Sequence, residues 1–150
     1  MRTEPATATL TGFEAAWDDF FAAIRRARGR AAAREREGEL TLSQHNLLTA
    51  LHHQPSLPVG EVALAAGVAP PTATRMLGQL ERAGVVRREA SVTDRRVVTV
   101  SLTPRGRELL AKKRATVSAK RRDFFESLTD AERAHSEGLL RGMAELIEQL

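Results

Sequence analysis

The stretch from Glu61 to Leu102, EVALAAGVAPPTATRMLGQLERAGVVRREASVTDRRVVTVSL, constrains the fold of this chain more than any other. Its apolar spacing begins helical and ends strand-like. Val62 to Val68 reads as a short apolar helix stopped by Gly67, because glycine tolerates the left-handed backbone that closes a helix. Ala63, four residues earlier, is small enough for a second helix to cross closely, which suits a helix-turn-helix. The second helix opens at Pro70-Pro71 and spaces Ala73, Met76, Leu77 and Leu80 along one face. Its other face carries Thr72, Arg75, Gln79 and Arg82, and Gly84 ends it.

After Gly84 the spacing changes. Val85-Val86 leads into Arg87-Arg88-Glu89, and Val97 to Leu102 is rich in β-branched residues, as strands are. Ala90 to Arg96 between them is polar and basic, as a hairpin tip is expected to be. A helix-turn-helix followed by such a hairpin is a winged helix. From Pro70 to Arg107 there are eight arginines against three acids, a net of +5, whereas the whole chain is only +4. A charge concentrated in this way is an electrostatic footprint for a phosphate backbone. A merely solvated arginine-rich surface would account for the charge but not for its placement on these elements.

The runs Thr74-Arg75-Met76-Leu77, Leu80 to Arg88, Thr93-Asp94-Arg95-Arg96 and Val100 to Thr103 with Gly106 together resemble the MarR family of bacterial transcription regulators. The Asp-x-Arg hairpin tip before a strand ending in Leu-Thr is the most diagnostic part. The resemblance extends over nearly the whole chain in order and length, and strongly over roughly residues 40–110. It implies a mainly α fold with a small β-hairpin wing. Residues 1–150 would be a single domain, with a winged helix-turn-helix and long connecting helix over 41–122. Dimerisation helices would lie at 10–36 and 124–150.

The same resemblance implies a homodimer on a double-stranded, pseudo-palindromic DNA operator. Side chains near the start of a recognition helix reach base edges, so Thr72 and Arg75 are the candidates there, with Arg75 able to clasp a guanine. Thr74 and Gln79 suit bases or phosphates, and Arg82 completes the exposed face. In the wing, Arg96 resembles the family residue that enters the minor groove, and Asp94 the carboxylate that pairs with it. Arg95 suits a phosphate. A winged helix used only for protein–protein contact is the alternative, and arginines on both helix and wing count against it.

Composition narrows the rest. The chain has 150 residues, enough for one domain with a real core. Cysteine is absent, which excludes disulfides, thiolate metal sites and a cysteine switch. No apolar run approaches membrane-spanning length and the N-terminus has no signal-like core, so a cytoplasmic protein is expected. No glycine-rich phosphate loop, nucleophile or paired carboxylate site is evident, so no enzyme and no cofactor are expected.

Outside the winged helix, Met1 to Thr9 reads as a frayed tail. Leu10, Phe13, Trp17, Phe20, Phe21 and Ile24 then form a helical stripe, continued by a basic run to Arg36. Thr41 and Gln44 fit a capping box for a helix that ends before Pro55. Thr103-Pro104 starts a long helix reaching at least Arg122, and Thr129 with Glu132 caps the last one. All six aromatics lie near the two ends of the chain, none between Ala22 and Asp123. The terminal helices are therefore expected to pack together, while the winged helix between them in the chain has a lean aliphatic core.

His45 and His52 are seven residues apart, about 10 Å along a helix, too far to share one metal ion. Zinc sensors of the resembled family draw histidines from the helix after the wing, and Thr103 to Arg122 has none, so no metal is expected. The resemblance does imply a small phenolic or other anionic effector, held in a crevice between the dimer helices and the DNA-binding lobe. Trp17, Phe21, His45 and His52 are the candidates to line it.

Overall fold

The computed structural model describes residues 9–29 and 38–149. In chain order the elements are α1 (Leu10–Gly29), α2 (Leu42–His53), β1 (Leu57–Pro58), α3 (Val59–Ala65) and α4 (Pro70–Arg82). They continue with β2 (Val86–Ala90), β3 (Val98–Leu102), α5 (Pro104–Ser127) and α6 (Asp130–Glu148). The mainly α architecture with a small β wing is therefore the expected one. The tail before Thr9 and the basic run from Arg30 to Arg36 lie outside the described residues.

Local chemistry starts the helices where the sequence places the starts. The Thr41 hydroxyl accepts from Gln44 N–H at 3.1 Å while Gln44 Oε1 accepts from Thr41 N–H at 2.9 Å. Thr129 and Glu132 form the same reciprocal pair at the head of α6. Gly67 and Gly84 have φ of 62° and 70°, the left-handed conformation their role as helix stops requires.

The sheet has the order β1-β3-β2 and is antiparallel throughout. Its third strand, Leu57–Pro58, was not expected from the sequence. It pairs Leu57 with Val100 on the open edge of β3, where a proline is tolerated because an edge strand needs fewer donors. The hairpin pairs Val86 with Leu102 and Ala90 with Val98.

One aliphatic core joins these pieces. Leu47, Leu48 and Leu51 of α2 meet Val62 and Ala63 of α3, Ala73, Leu77 and Leu80 of α4, Val86, Val100 and Leu102 of the sheet, and Leu110 of α5. Each fully buried leucine contributes about 1.5–3 kcal/mol of transfer free energy. Gly106 fixes how closely α5 approaches: a Cβ there would sit 2.0 Å from Val85 O. The Thr103 hydroxyl ties the same corner by donating to Gly84 O at 2.7 Å and accepting from Gly106 N–H at 3.0 Å. The turn after α4 is thereby fastened to the head of α5.

The two ends of the chain differ from the expectation in one boundary. The long helix runs through Phe124 and Phe125 to Ser127, so these aromatics sit on its last turns and not on a separate C-terminal element. Neither α1 nor α6 contributes to the core. On α1 the rings of Phe13, Trp17 and Phe21 stack along the helix, with centroids 5.9 and 5.1 Å apart. No residue of α6 is buried, and Leu139, Leu140, Leu146 and Ile147 are exposed.

Candidate nucleic-acid interface

Helix α4 is held by Ala73, Leu77 and Leu80, which face the core, so its opposite face is set by the helical period. Thr74, Arg75, Gln79 and Arg82 are exposed and Thr72 is half-buried. The side chains of Arg75 and Arg82 have no ion pair or hydrogen bond among the described residues, leaving their charges available. Pro70 and Pro71 occupy the first turn, and Ala69 provides no side-chain cap. This helix start lacks backbone donors that elsewhere hold a phosphate, so side chains must do the positioning.

The wing loop is shaped by its own hydrogen bonds. Ser91 N–H donates to Val97 O at 2.7 Å and Val97 N–H to Asp94 O at 2.9 Å, closing the tip. Asp94 and Arg96 are related differently from the expectation. Asp94 Oδ1 accepts from the backbone N–H of Arg96 at 2.9 Å, and no side-chain ion pair joins the two. The carboxylate therefore fixes the main chain from which Arg96 projects, as a short aspartate in a turn readily does. Arg95 and Arg96 are both exposed and unpaired among the described residues.

Other arginines of the basic segment are already engaged. Arg87 Nε pairs with Glu89 at 2.9 Å, an exposed contact of little energetic weight. Arg107 Nη1 donates to Leu102 O at 2.9 Å. Arg88 reaches from β2 to α4, where its Nε lies 3.5 Å from Glu81 Oε2. The contact of Arg88 with α4 was not foreseen, since nothing local to the sequence links residues 81 and 88 across two elements.

The four candidate effector residues are not brought together within one chain. Trp17 and Phe21 are half-buried on α1. His45 is buried on α2, with Nδ1 3.2 Å from Asn46 Oδ1 and Nε2 without a hydrogen bond. Only His52 lines the large open cavity, of about 790 Å³, between the end of α2 and the first half of α5. Leu51, Leu102 and Leu110 supply apolar wall there, while His53, Arg107 and Arg114 join His52 as polar and cationic groups. Sequence reasoning missed Arg107 and Arg114, although their spacing of seven places both on one face of a helix. The His52 pKa lies below the ordinary 6.5, first through desolvation, then through the charges of Arg114 and His53. Among the described residues no three histidines or acids gather as metal ligands, and no helix is long and apolar enough to cross a membrane.

Comparison with known proteins gives a consistent picture. The family model described as MarR family matches residues 40–98. An uncharacterized HTH-type transcriptional regulator of Mycobacterium leprae is 30% identical over 88% of this chain and 90% of its own. Other curated relatives are spanned over only 61% and 58% of their own length. Among solved structures, the transcriptional repressor CouR bound to a 23-mer DNA duplex is 25% identical with a TM-score of 0.68. That match covers 97% of this chain and 99% of CouR. Bordetella bronchiseptica BpsR, whose DNA binding is regulated by 6-hydroxynicotinic acid, is 28% identical with a TM-score of 0.62. It covers 82% of this chain and 91% of BpsR.

Proposed function

Because the chain belongs to the MarR family, we propose that it is a sequence-specific, double-stranded DNA-binding regulator, acting in the cytoplasm as a ligand-responsive repressor. The observation that carries this reading is the convergence of two basic elements: Thr74 of the recognition helix and Arg96 of the wing line one groove. The recognition helix serves the major groove through Thr72 and Arg75, and the wing serves the adjacent minor groove through Arg96. Thr74, Gln79, Arg82 and Arg95 add base or phosphate contacts.

Two copies work together in this proposal. The apolar faces of α1 and α6 are exposed in the single chain, with Leu139 58% and Leu140 63% accessible. A homodimer joined through them buries that surface and presents two recognition helices one DNA turn apart, roughly 34–36 Å. The matching operator is a pseudo-palindrome.

The effector is a small phenolic or other anionic molecule. The cavity beside His52 supports it by offering an apolar wall next to cationic groups, the combination that an aromatic acid requires. Regulation of BpsR by 6-hydroxynicotinic acid is a property of that protein; it suggests the chemical class to screen first.

Titration of the protein with duplex DNA over a salt series tests the central claim. Each neutralised phosphate contributes roughly −0.9 to the slope of log K against log salt, so a dimer is expected to show a slope steeper than about −5. A flat response rejects DNA binding.

A further inference from the structure

We infer that Arg88 is a DNA-contact residue, seating a backbone phosphate together with Thr74 in the groove between the recognition helix and the wing, beside the Arg96 that serves the minor groove. This rests on the proposed DNA binding and adds to it a residue of the wing strand β2, apart from the exposed face of the recognition helix and from the wing tip. The groove has a volume of about 370 Å³, and its lining includes two arginines and a hydroxyl but no acid. Thr74 comes from α4, Arg88 from β2 and Arg96 from the end of the wing loop.

Arg88 is built into this place. Its side chain is 28% exposed, and Nε is buried without a hydrogen bond. The Glu81 carboxylate, 3.5 Å from Nε, holds the charge at ion-pair distance only. Nη1 rests 4.0 Å from where a Cβ of Gly78 would be, so the guanidinium lies over the part of α4 that lacks a side chain. Thr74, Gly78 and Glu81 follow one another at helical spacing, and Arg88 lies along that row. Glu81 thus anchors the inner, Nε side of the guanidinium, the side chain keeps 28% of its surface exposed, and phosphate oxygens suit its planar fork.

DNA geometry supplies the acceptor. One helix in a major groove and a wing in the next minor groove must straddle the sugar–phosphate strand that separates the two. The strand therefore passes between α4 and the wing, along the groove that Thr74, Arg88 and Arg96 line. A contact of this kind fixes register without reading sequence.

The test compares the parent protein with Arg88→Gln, Arg88→Lys and Thr74→Val on operator and mixed-sequence duplexes over a salt series. A second operator carries one neutral methylphosphonate linkage, moved in turn along the strand between the two grooves. Arg88→Gln is expected to weaken operator and mixed duplex by the same factor, about tenfold, and to make the salt slope shallower by roughly 0.9 per protomer. Arg88→Lys restores the slope because the charge returns. At one position the neutral linkage weakens the parent but leaves Arg88→Gln unaffected, and Thr74→Val, an exposed change that spares folding, loses part of that sensitivity. An Arg88→Gln protein with the parent's slope, or with undiminished sensitivity at every position, makes Arg88 a strut between β2 and α4 and overturns the inference. Such a result, obtained while the parent's own slope stays steep, leaves DNA binding standing. A flat slope for the parent removes both.

Discussion

The winged-helix lobe and the terminal helices solve opposite problems with opposite residues. The lobe has no aromatic side chain, yet Leu47, Leu48, Leu77, Leu110, Val62 and Val100 are essentially inaccessible. The ends of the chain hold every aromatic, yet Phe13, Phe20, Phe124 and Phe125 are exposed by 47% or more. Aromatic content and burial therefore run in contrary directions. Medium-sized aliphatics interdigitate among three short helices and a small sheet, and the lobe closes on itself. The aromatic residues of α1 and of the last turns of α5, with the exposed leucines and isoleucine of α6, form extended faces that a single chain leaves uncovered, as the surfaces of an assembly do. In the proposed dimer, the lobe gives its outer face to DNA while cohesion between copies is left to the terminal helices.

The contrast is broken most directly by core mutation. Leu77→Ala removes a side chain that is 0% accessible from the lobe, and a loss of about 2–5 kcal/mol is expected in denaturant unfolding. Replacing Leu139 and Leu146 by aspartate tests the other half. Neither is buried in the chain, so the lobe keeps its core while the dimer dissociates. Sedimentation is expected to show monomers; an unchanged dimer would place the seam elsewhere.

Smaller effects separate the reading elements of the lobe. If Arg75 makes the proposed base-edge hydrogen bonds, Arg75→Ala is expected to cost on the order of 1–3 kcal/mol, with relaxed preference at one operator position. Arg96→Ala weakens binding in a manner that depends on the A·T content of the operator flank. Asp94→Ala acts in the same direction and adds little to Arg96→Ala, because Asp94 acts through the main chain of Arg96. Asp94→Asn retains an oxygen for that N–H and is expected to bind almost as the parent does. Loss in Asp94→Asn equal to that in Asp94→Ala would restore a charge-pairing role.

The smallest effect belongs to His52. Its lowered pKa means that the unfolded chain binds the proton more tightly, so this residue's contribution to stability is present above pH 6.5 and is lost as pH falls below it. A bound anion opposes that shift and draws the proton in. Binding of a phenolic acid is therefore expected to tighten below pH 6.5 with net proton uptake. Calorimetry in two buffers of different ionisation enthalpy measures the uptake, and equal heats would remove His52 from the effector site.

Features that depend on neighbours a few residues away are legible along the chain. Thr41, Thr103 and Thr129 mark helix starts because each bond spans three residues. Gly67 and Gly84 mark helix ends because their backbone conformation is a local property. The apolar rows of α4 and the strand pattern of β3 are legible for the same reason, and with them the basic face that carries Arg75. Tertiary structure decided what depends on elements meeting. Leu57–Pro58 is a strand only because β3 offers an open edge. Gly106 is required because Val85 O arrives from the turn after α4. Arg88 reaches α4, and Arg107 and Arg114 share a cavity with His52, through packing that no spacing along the chain specifies. Short-range bonds are written in adjacent residues, whereas packing of the whole lobe sets which distant side chains share a groove.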